Sequence, residues 1–325
     1  MAALLLAAFA LDRLFPLPLP TSDGASSVVL ARDGTPLRAF ADRDGVWRYP
    51  TTAAQVSPLY LSALLNYEDR WFRHHPGVNP WALLRSTASA ARHGHFVSGG
   101  STLTMQVARI IAPGSGWFHP HTVGGKAVQI LRALQLEAHL DKAQILDLYL
   151  NHAPFGGPIE GVEAASWAYL GKSARELSRA EAALLTVLPQ APSRLRPDRH
   201  ADAARAARDK VLRRMRDLGV WSAAQVRDAA MEPVVARSLR APLSAALLAQ
   251  RLHQQQPSVR RIVSTIDANL QRAAQERVAD YIVRLPPRSS AALLVVDNAT
   301  LEARVYVGAA AFADPVRLGH VDMVR

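Results

Sequence analysis

Residues 55–218 form a nearly continuous series of apolar, helix-like segments separated by stop signals, and this pattern limits the fold more than any other feature. Apolar residues recur at helical spacing, as in "AQILDLYLN" and "AEAALLTVL". Proline and glycine interrupt the pattern and predict helix ends. They stand at Pro76 and Gly77, Pro113 and Gly114, 155–158, Gly171, and Pro189. The sequence therefore predicts a mainly α protein with an all-helical central domain at 55–218.

Two helix starts in this region carry a second, independent signal. Asp141 is followed three residues later by Gln144, and Ser178 is followed by Glu181 at the same spacing. In this capping-box pattern the first side chain accepts a hydrogen bond from the backbone N–H of the second residue. The second side chain accepts one from the backbone N–H of the first residue. The pattern predicts that helices begin at these two positions.

The flanking segments differ in composition from the helical region. Residues 21–54 contain short β-like runs around Asp33-Gly34, which predicts a small β linker with a hairpin turn. Residues 219–260 are rich in Gln and Arg and indicate a linker without clear architecture. Residues 261–325 begin with a helix-like stretch followed by two strands around an Asp-Asn-Ala-Thr turn. We interpret them as the incomplete start of a further domain, and therefore expect the natural protein to be longer.

The N-terminal segment, residues 1–20, begins "MAALLLAAFALDRLF" and ends in "PLPLP". Its apolar run before Asp12 is about half of the ~20 residues that span a bilayer. The segment is therefore the remnant of a membrane anchor, an apolar surface helix or a cleaved signal peptide. Of these, we interpret residues 1–20 as the remnant of a membrane anchor.

Charge and cysteine content limit the classes of partner. The formal net charge is +11, from 38 Lys and Arg against 27 Asp and Glu, and most of the cations are arginines. This balance suits phosphate-bearing partners such as anionic lipid or a pyrophosphate. No basic and aromatic motif or zinc-finger spacing accompanies it, so we expect no nucleic-acid binding. Cysteine is absent, which excludes thiol catalysis and disulfides.

One carboxylate lies where a helix would be expected to carry an apolar residue. In "LSALLNYEDRWFRH" a helix would place Leu61, Leu64, Leu65 and Glu68 on or beside one face. A carboxylate there is a misplaced charge, a salt-bridge partner, or an acid or base whose pKa the surroundings tune.

Several stretches, in this order and spacing, resemble the glycosyltransferase family 51 domain of bacterial peptidoglycan polymerases. They are "EDRWFRHHPG", "SGGSTLTMQVAR", "ILDLYLNHAPFGGPIEGVEAASWAYLGK" and "ELSRAEAALLTVLPQAPSRLRP". The resemblance covers about residues 55–215, and the variants "TMQVAR" and "APFGG" resemble the 1C-like branch of bifunctional class A penicillin-binding proteins. The positions that match the first two motifs are Glu68, Asp69, Phe72, His75, Gly77, Arg85, Gly99, Gly100, Ser101, Thr102, Thr104 and Gln106.

The resemblance implies a lysozyme-like helical fold with a cleft and polymerisation of lipid II into glycan strands. It also implies a single-pass anchor in the bacterial inner membrane, a catalytic domain on the periplasmic side, and contact with other cell-wall synthesis proteins. Glu68 would be the catalytic base, with Arg109 and Lys126 at the leaving pyrophosphate. The expected substrate-binding residues are Asp69, Phe72, His75, Arg85, Ser101, Thr102, Thr104, Gln106, Arg109, Lys126 and Gln129.

This sequence departs from the usual pattern of the family's third motif. Anchoring on "LQLE" places Gln129 where the family carries a second Glu, and His121 near the position of a phosphate-contacting Arg. An amide can hold a hydrogen bond but ligates a metal ion poorly. The resemblance allows Mg²⁺ or Mn²⁺ as a cofactor and leaves its ligands unassigned. His74 and His75 lack a third ligand at suitable spacing, so we expect them to form hydrogen bonds.

The C-terminal part, in "VSTIDANLQ" and "SAALLVVDNATLEARVYVG", looks like the opening of a penicillin-binding transpeptidase domain. That domain needs a Ser three residues before a Lys, and none of the four lysines has one. We therefore expect no acyl transfer from this chain. Two other functions stay open: a lysozyme-like hydrolase with Glu68 as general acid, and a catalytically weak membrane-bound scaffold for cell-wall enzymes.

Overall fold

The structure is a computed structural model that describes residues 12–20, 25–81, 83, 101–112, 123–236 and 242–325. Arg85, Gly99, Gly100 and His121 lie outside these residues, as does the apolar run before Asp12. The helices are α1 (Pro58–Glu68), α2 (Leu103–Ile110), α3 (Val123–His139), α4 (Lys142–His152), α5 (Val162–Ala165), α6 (Arg179–Val187), α7 (Ala201–Asp217), α8 (Ala223–Met231), α9 (Ala246–Gln255) and α10 (Ala268–Ile282). The strands are β1 (Ser27–Leu30), β2 (Pro36–Phe40), β3 (Pro154–Gly156), β4 (Ile159–Glu160), β5 (Arg261–Val263), β6 (Leu293–Val296) and β7 (Ala303–Val307). The mainly α prediction is confirmed, while the likeness to lysozyme stays a prediction.

The chain divides into two compact units. The helical unit comprises Met1–Thr21, Thr51–Ala165 and Ala174–Ala236. The mixed unit comprises Ser22–Pro50, Ser166–Ser173 and Arg237–Arg325. Both capping boxes predicted from the sequence are present and start α4 and α6.

Helix α6 forms the centre of the helical unit. Seven of its nine residues are buried, and it packs against α1 and α7. A helix that is apolar on all sides is stable only when other elements surround it. The second layer is α2, which packs against α3 and α4. These two layers position the side chains described below.

Arg208 of α7 is a fully buried charge in the helical unit. Its guanidinium donates to the carbonyl oxygens of Ala230 and Glu232, 3.1 and 2.5 Å away, and pairs with Asp209. These carbonyls belong to the C-terminal end of α8, where a cation offsets the helix dipole. Arg208 therefore fixes α8 against α7.

The mixed unit is built on a three-stranded sheet of order β2-β1-β5, in which β1 is antiparallel to β2 and parallel to β5. The predicted hairpin at Asp33-Gly34 is confirmed, and Gly34 has a φ of +89°. The predicted C-terminal helix and strand pair are also present, as α10 and as β6 with β7. Residues from the predicted β linker and from the predicted C-terminal domain therefore share one sheet.

The structure differs from the prediction for residues 219–260, which were expected to lack architecture. Helix α8 begins with a capping box formed by Ser222 and Gln225 and buries Val226 and Ala229. Helix α9 buries Ala246 and Ala249. The polar composition concealed these helices because each buries only a narrow apolar stripe. Among the described residues, no helix is both long and apolar enough to cross a membrane.

Candidate active site

The Glu68 carboxylate lies at the last residue of α1 and is held by two amides. Its Oε2 accepts from Gln106 Nε2 at 2.8 Å, and its Oε1 accepts from Gln190 Nε2 at 2.6 Å. Burial raises the pKa of Glu68, and the two hydrogen bonds oppose that rise. Glu68 is therefore a desolvated carboxyl group with an elevated pKa, which suits a proton acceptor or donor.

Asp69, the next residue, caps the C-terminal end of α1 and connects it to α2. Its carboxylate accepts from the Leu103 backbone N–H at 2.8 Å and from His75 Nε2 at 2.9 Å. The Asp69 and His75 side chains are only 4% and 6% exposed. Through these bonds the pair fixes the end of α1 and the start of α2 next to Glu68.

Thr102 caps α2 and joins it to the loop that follows α1. Its Oγ1 accepts from the Met105 N–H at 3.1 Å and donates to the Gly77 carbonyl oxygen at 2.5 Å. A Cβ at Gly77, where φ is +84°, would lie 2.7 Å from the Ala133 carbonyl oxygen. Only glycine permits this close approach to α3.

Two further side chains that were predicted to bind substrate, Thr104 and Phe72, pack in the same region. Thr104 is buried and donates to Glu137 Oε1 at 2.7 Å. Phe72 is buried, and Lys142 Nζ lies 4.6 Å from its ring centre. The Lys142 ammonium also bonds Glu137 at 2.5 Å. These contacts give Thr104 and Phe72 a role in packing α2 and the loop 69–78 against α3.

The cations near Glu68 come from α2 and α3. Lys126 Nζ donates to Ser101 Oγ at 2.6 Å and to Gln129 Oε1 at 3.2 Å. Burial, followed by the positive charge of Arg109, lowers the pKa of Lys126. Arg109 is exposed on α2, and its charge also acts to lower the pKa of Glu68. Arg109 therefore acts electrostatically on both Lys126 and Glu68.

Gln129 stabilises the Lys126 ammonium from a buried position on α3. Its Oε1 accepts from Lys126, and its Nε2 donates to the Met105 carbonyl oxygen at 2.7 Å. Both ends of the amide are thus occupied by groups that match its donor and acceptor.

The structure divides the predicted site residues into two groups. The first group surrounds the Glu68 carboxylate and the cations, and consists of Glu68, Ser101, Gln106, Arg109, Lys126 and Gln129. The second group is buried and holds the end of α1, the loop 69–78 and α2 together. It consists of Asp69, Phe72, His75, Thr102 and Thr104. Whether these residues bind substrate stays a prediction, and Arg85 lies outside the described residues.

Sequence reasoning missed three residues next to Glu68. Gln190 binds the carboxylate directly. Tyr60 and Tyr149 are fully buried, burial raises the pKa of both phenols, and the Glu68 charge raises it further. Gln190 lay within a quoted motif, "LTVLPQAPS", but its local spacing gives no sign of a contact with residue 68. Only the resemblance could have drawn attention to it.

The described His, Asp and Glu side chains limit where a metal ion could bind. Among residues 12–20, 25–81, 83, 101–112, 123–236 and 242–325, no cluster of three or more His, Cys, Asp or Glu side chains could hold a metal ion. Gln129 directs its oxygen to Lys126. These side chains do not fit a divalent cation, and the predicted Mg²⁺ or Mn²⁺ stays a prediction.

Comparison with known proteins adds a family and several relatives. A family model described as transglycosylase matches residues 33–216, more than half of the chain. Penicillin-binding protein 1C of Escherichia coli (strain K12) is 54% identical over 322 residues, which cover 99% of this chain and 41% of that protein. Penicillin-binding protein 1A of Pseudomonas aeruginosa is 32% identical over 268 residues, which cover 78% of this chain and 32% of that protein. The chain therefore spans less than half the length of these curated relatives.

A solved structure, that of penicillin-binding protein 1A from Haemophilus influenzae, covers 84% of this chain and 33% of its own. It is 22% identical, and the TM-score is 0.37.

Proposed function

Because this chain belongs to the transglycosylase family, we propose that it is a peptidoglycan glycosyltransferase that polymerises lipid II into glycan strands in bacterial cell-wall synthesis. One observation carries the proposal. A desolvated carboxylate, Glu68, is held by two amides in the same environment as Arg109 and Lys126. Such a site can accept a proton from an alcohol and stabilise a leaving phosphate.

The proposed reaction is a displacement with inversion at the anomeric carbon. The 4-hydroxyl oxygen of the incoming lipid II sugar forms a bond to the anomeric carbon of the growing strand. The bond from that carbon to the pyrophosphate oxygen breaks, and undecaprenyl pyrophosphate leaves with the electron pair. The hydroxyl proton passes to Glu68, because an alcohol of high pKa needs a positioned base. Arg109 and Lys126 offset the charge that develops on the pyrophosphate.

We place the enzyme at the bacterial inner membrane, with the catalytic domain on the periplasmic side and with other cell-wall synthesis proteins as partners. The apolar N-terminal sequence supports the membrane assignment. Leu14 and Phe15 follow it and are 72% and 51% exposed. Arg132 on α3 donates to the Phe15 carbonyl oxygen at 2.6 Å and ties this apolar segment to the helical unit.

Incubating the purified chain with lipid II tests the proposal. Glycan polymer is the expected product. Cleavage of added glycan strands without polymerisation would favour the lysozyme-like hydrolase, and binding without any reaction would favour the scaffold. Either result would overturn the proposed function.

Removing the cations should weaken catalysis with different responses to salt. Arg109→Ala and Lys126→Met should each lower kcat/KM by about 10- to 100-fold, the loss expected for a hydrogen bond to a charged group. Salt screens exposed charges more than buried ones. The defect of Arg109→Ala should therefore shrink as salt rises, whereas that of the half-buried Lys126 should change little. Arg205→Ala, on the exposed surface of α7, is the control, and equal salt responses for both cations would contradict the assignment.

Gln129→Glu should destabilise the helical unit without creating metal dependence. A carboxylate oxygen would replace the Nε2 that now lies 2.7 Å from the Met105 carbonyl oxygen, leaving two acceptors in contact. Losing one buried hydrogen bond in this way costs about 1–3 kcal/mol. The measurement is thermal unfolding and lipid II polymerisation across a magnesium titration, with the exposed Gln55→Glu as control. A stable variant whose activity becomes magnesium-dependent would show that position 129 is a metal site.

A further inference from the structure

Gln190 lies on a short 3₁₀ turn, Leu188–Gln190, that directly follows α6. Its Nε2 donates to Glu68 Oε1 at 2.6 Å, while Gln106 of α2 donates to the other oxygen, Oε2. Gln190 also acts on Tyr67, the residue before Glu68, because it lowers the pKa of a phenol whose pKa burial raises. The carboxylate is thus held by donors from two elements that are distant in sequence.

We propose that Gln190 is a positioning residue for the catalytic base, and that its amide holds the Glu68 carboxylate in the orientation in which it accepts the hydroxyl proton. The inference rests on the proposed function. An amide suits this task because it donates a hydrogen bond but does not take up the proton itself. With one donor on each oxygen, the carboxylate plane is fixed, which a single donor would not achieve.

The backbone that carries Gln190 is rigid enough to hold such a contact. Leu188 and Pro189 are both buried, and the turn continues from the central helix α6. The Ala191 N–H closes the turn by donating to the Leu188 carbonyl oxygen at 3.2 Å. A donor placed on a packed element keeps its position without reorganising during the reaction.

The other groups that act on Glu68 show why a second donor matters. Burial is the largest influence and raises the pKa of Glu68, and the Asp69 charge raises it as well. The amides of Gln106 and Gln190 act in the opposite direction, followed by the Arg109 charge. The neighbouring tyrosines, Tyr60, Tyr67 and Tyr149, have raised pKa values and stay neutral. Gln190 is therefore one of two amides that offset the desolvation of the base.

The test replaces the amide with an isosteric thioether in the whole chain. Gln190→Met should lower kcat for lipid II polymerisation by about 10- to 100-fold, as expected for one charge-assisted hydrogen bond, with a smaller change in KM. The acid limb of the pH–rate profile should move to higher pH, because the ionised form of Glu68 loses a stabilising donor. The control is Gln55→Met, because Gln55 is also the last residue of an exposed 3₁₀ turn in the helical unit.

A second measurement does not depend on activity. The infrared carboxyl signal of Glu68, obtained as the difference between each protein and its Glu68→Gln derivative, should titrate at higher pH in Gln190→Met than in the wild type. If the wild type fails to polymerise lipid II, the proposed function fails, while the infrared titration still tests the Gln190 contact. Gln190→Asn, one methylene shorter, should shift the titration in the same direction if the Met variant unfolds. An unchanged titration and an unchanged kcat in a folded variant would overturn the inference.

Discussion

Glu68→Gln is expected to reduce lipid II polymerisation by about 10²- to 10⁴-fold, the range typical of losing a general base. The substitution removes the basic oxygen but keeps the volume of the side chain. Its new NH₂ group will face one of the two amides that now donate to Glu68, so a small loss of stability will accompany the loss of activity. The measurement is the rate of glycan polymer formation, alongside a thermal unfolding curve that reports the fold.

The matched control for this variant is Glu276→Gln, because Glu276 is exposed on α10 in the mixed unit. It should polymerise at the wild-type rate. Near-normal polymerisation by a folded Glu68→Gln protein would show that another group accepts the proton, and the candidate site would lose its central residue.

Asp69→Ala is expected to lower the free energy of unfolding of the helical unit by about 3–5 kcal/mol, the usual cost of removing one partner of a buried pair. The Asp69 carboxylate accepts from His75 Nε2 and from the Leu103 N–H, and both donors would become buried without an acceptor. Denaturant unfolding, followed through the helical signal, measures the loss. Asp69→Asn keeps one acceptor oxygen and should lose less.

Asp280→Ala serves as the control for the Asp69 series, since Asp280 is exposed on α10. Its effect should stay within about 0.5 kcal/mol, as for most surface substitutions. If Asp69→Ala were equally mild, the carboxylate would contribute little to holding α1 and α2 together. Its burial would then need a different explanation, such as direct contact with substrate.

Local chemistry made much of the fold predictable. The capping boxes at Asp141 and Ser178 are complete within four residues of sequence, and both helices begin where those residues predict. Residues 219–260 were predicted to lack architecture, although Ser222 and Gln225 carry the same capping-box signal at the start of α8. The polar composition of the stretch hid that signal, and α9 has no side-chain cap and buries only small residues. The start of α9 carries no such local signal, and its helical character depends on the surface against which Ala246 and Ala249 are buried.

The site was predictable in its main residue and less so in its surroundings. Glu68 stood out because a carboxylate occurred beside an apolar helix face, and the motif resemblance assigned it a role. Asp69 and His75 matched the same motif and were predicted to bind substrate; the structure shows them buried and bonded to each other, and substrate contact stays a prediction. A motif records which residues occur together, and it does not distinguish those that touch substrate from those that support them.

The two amide contacts to Glu68 also make the orientation of this carboxylate depend on long-range folding. The partners of Glu68 lie 38 and 122 residues further along the chain. Bringing such distant residues together requires closing long loops, which carries an entropic cost. A partly folded or proteolytically nicked chain can contain an intact helix α1 and still lack an oriented base. The Glu68 carboxylate is therefore held on both oxygens only once α2 and the turn after α6 have docked against α1.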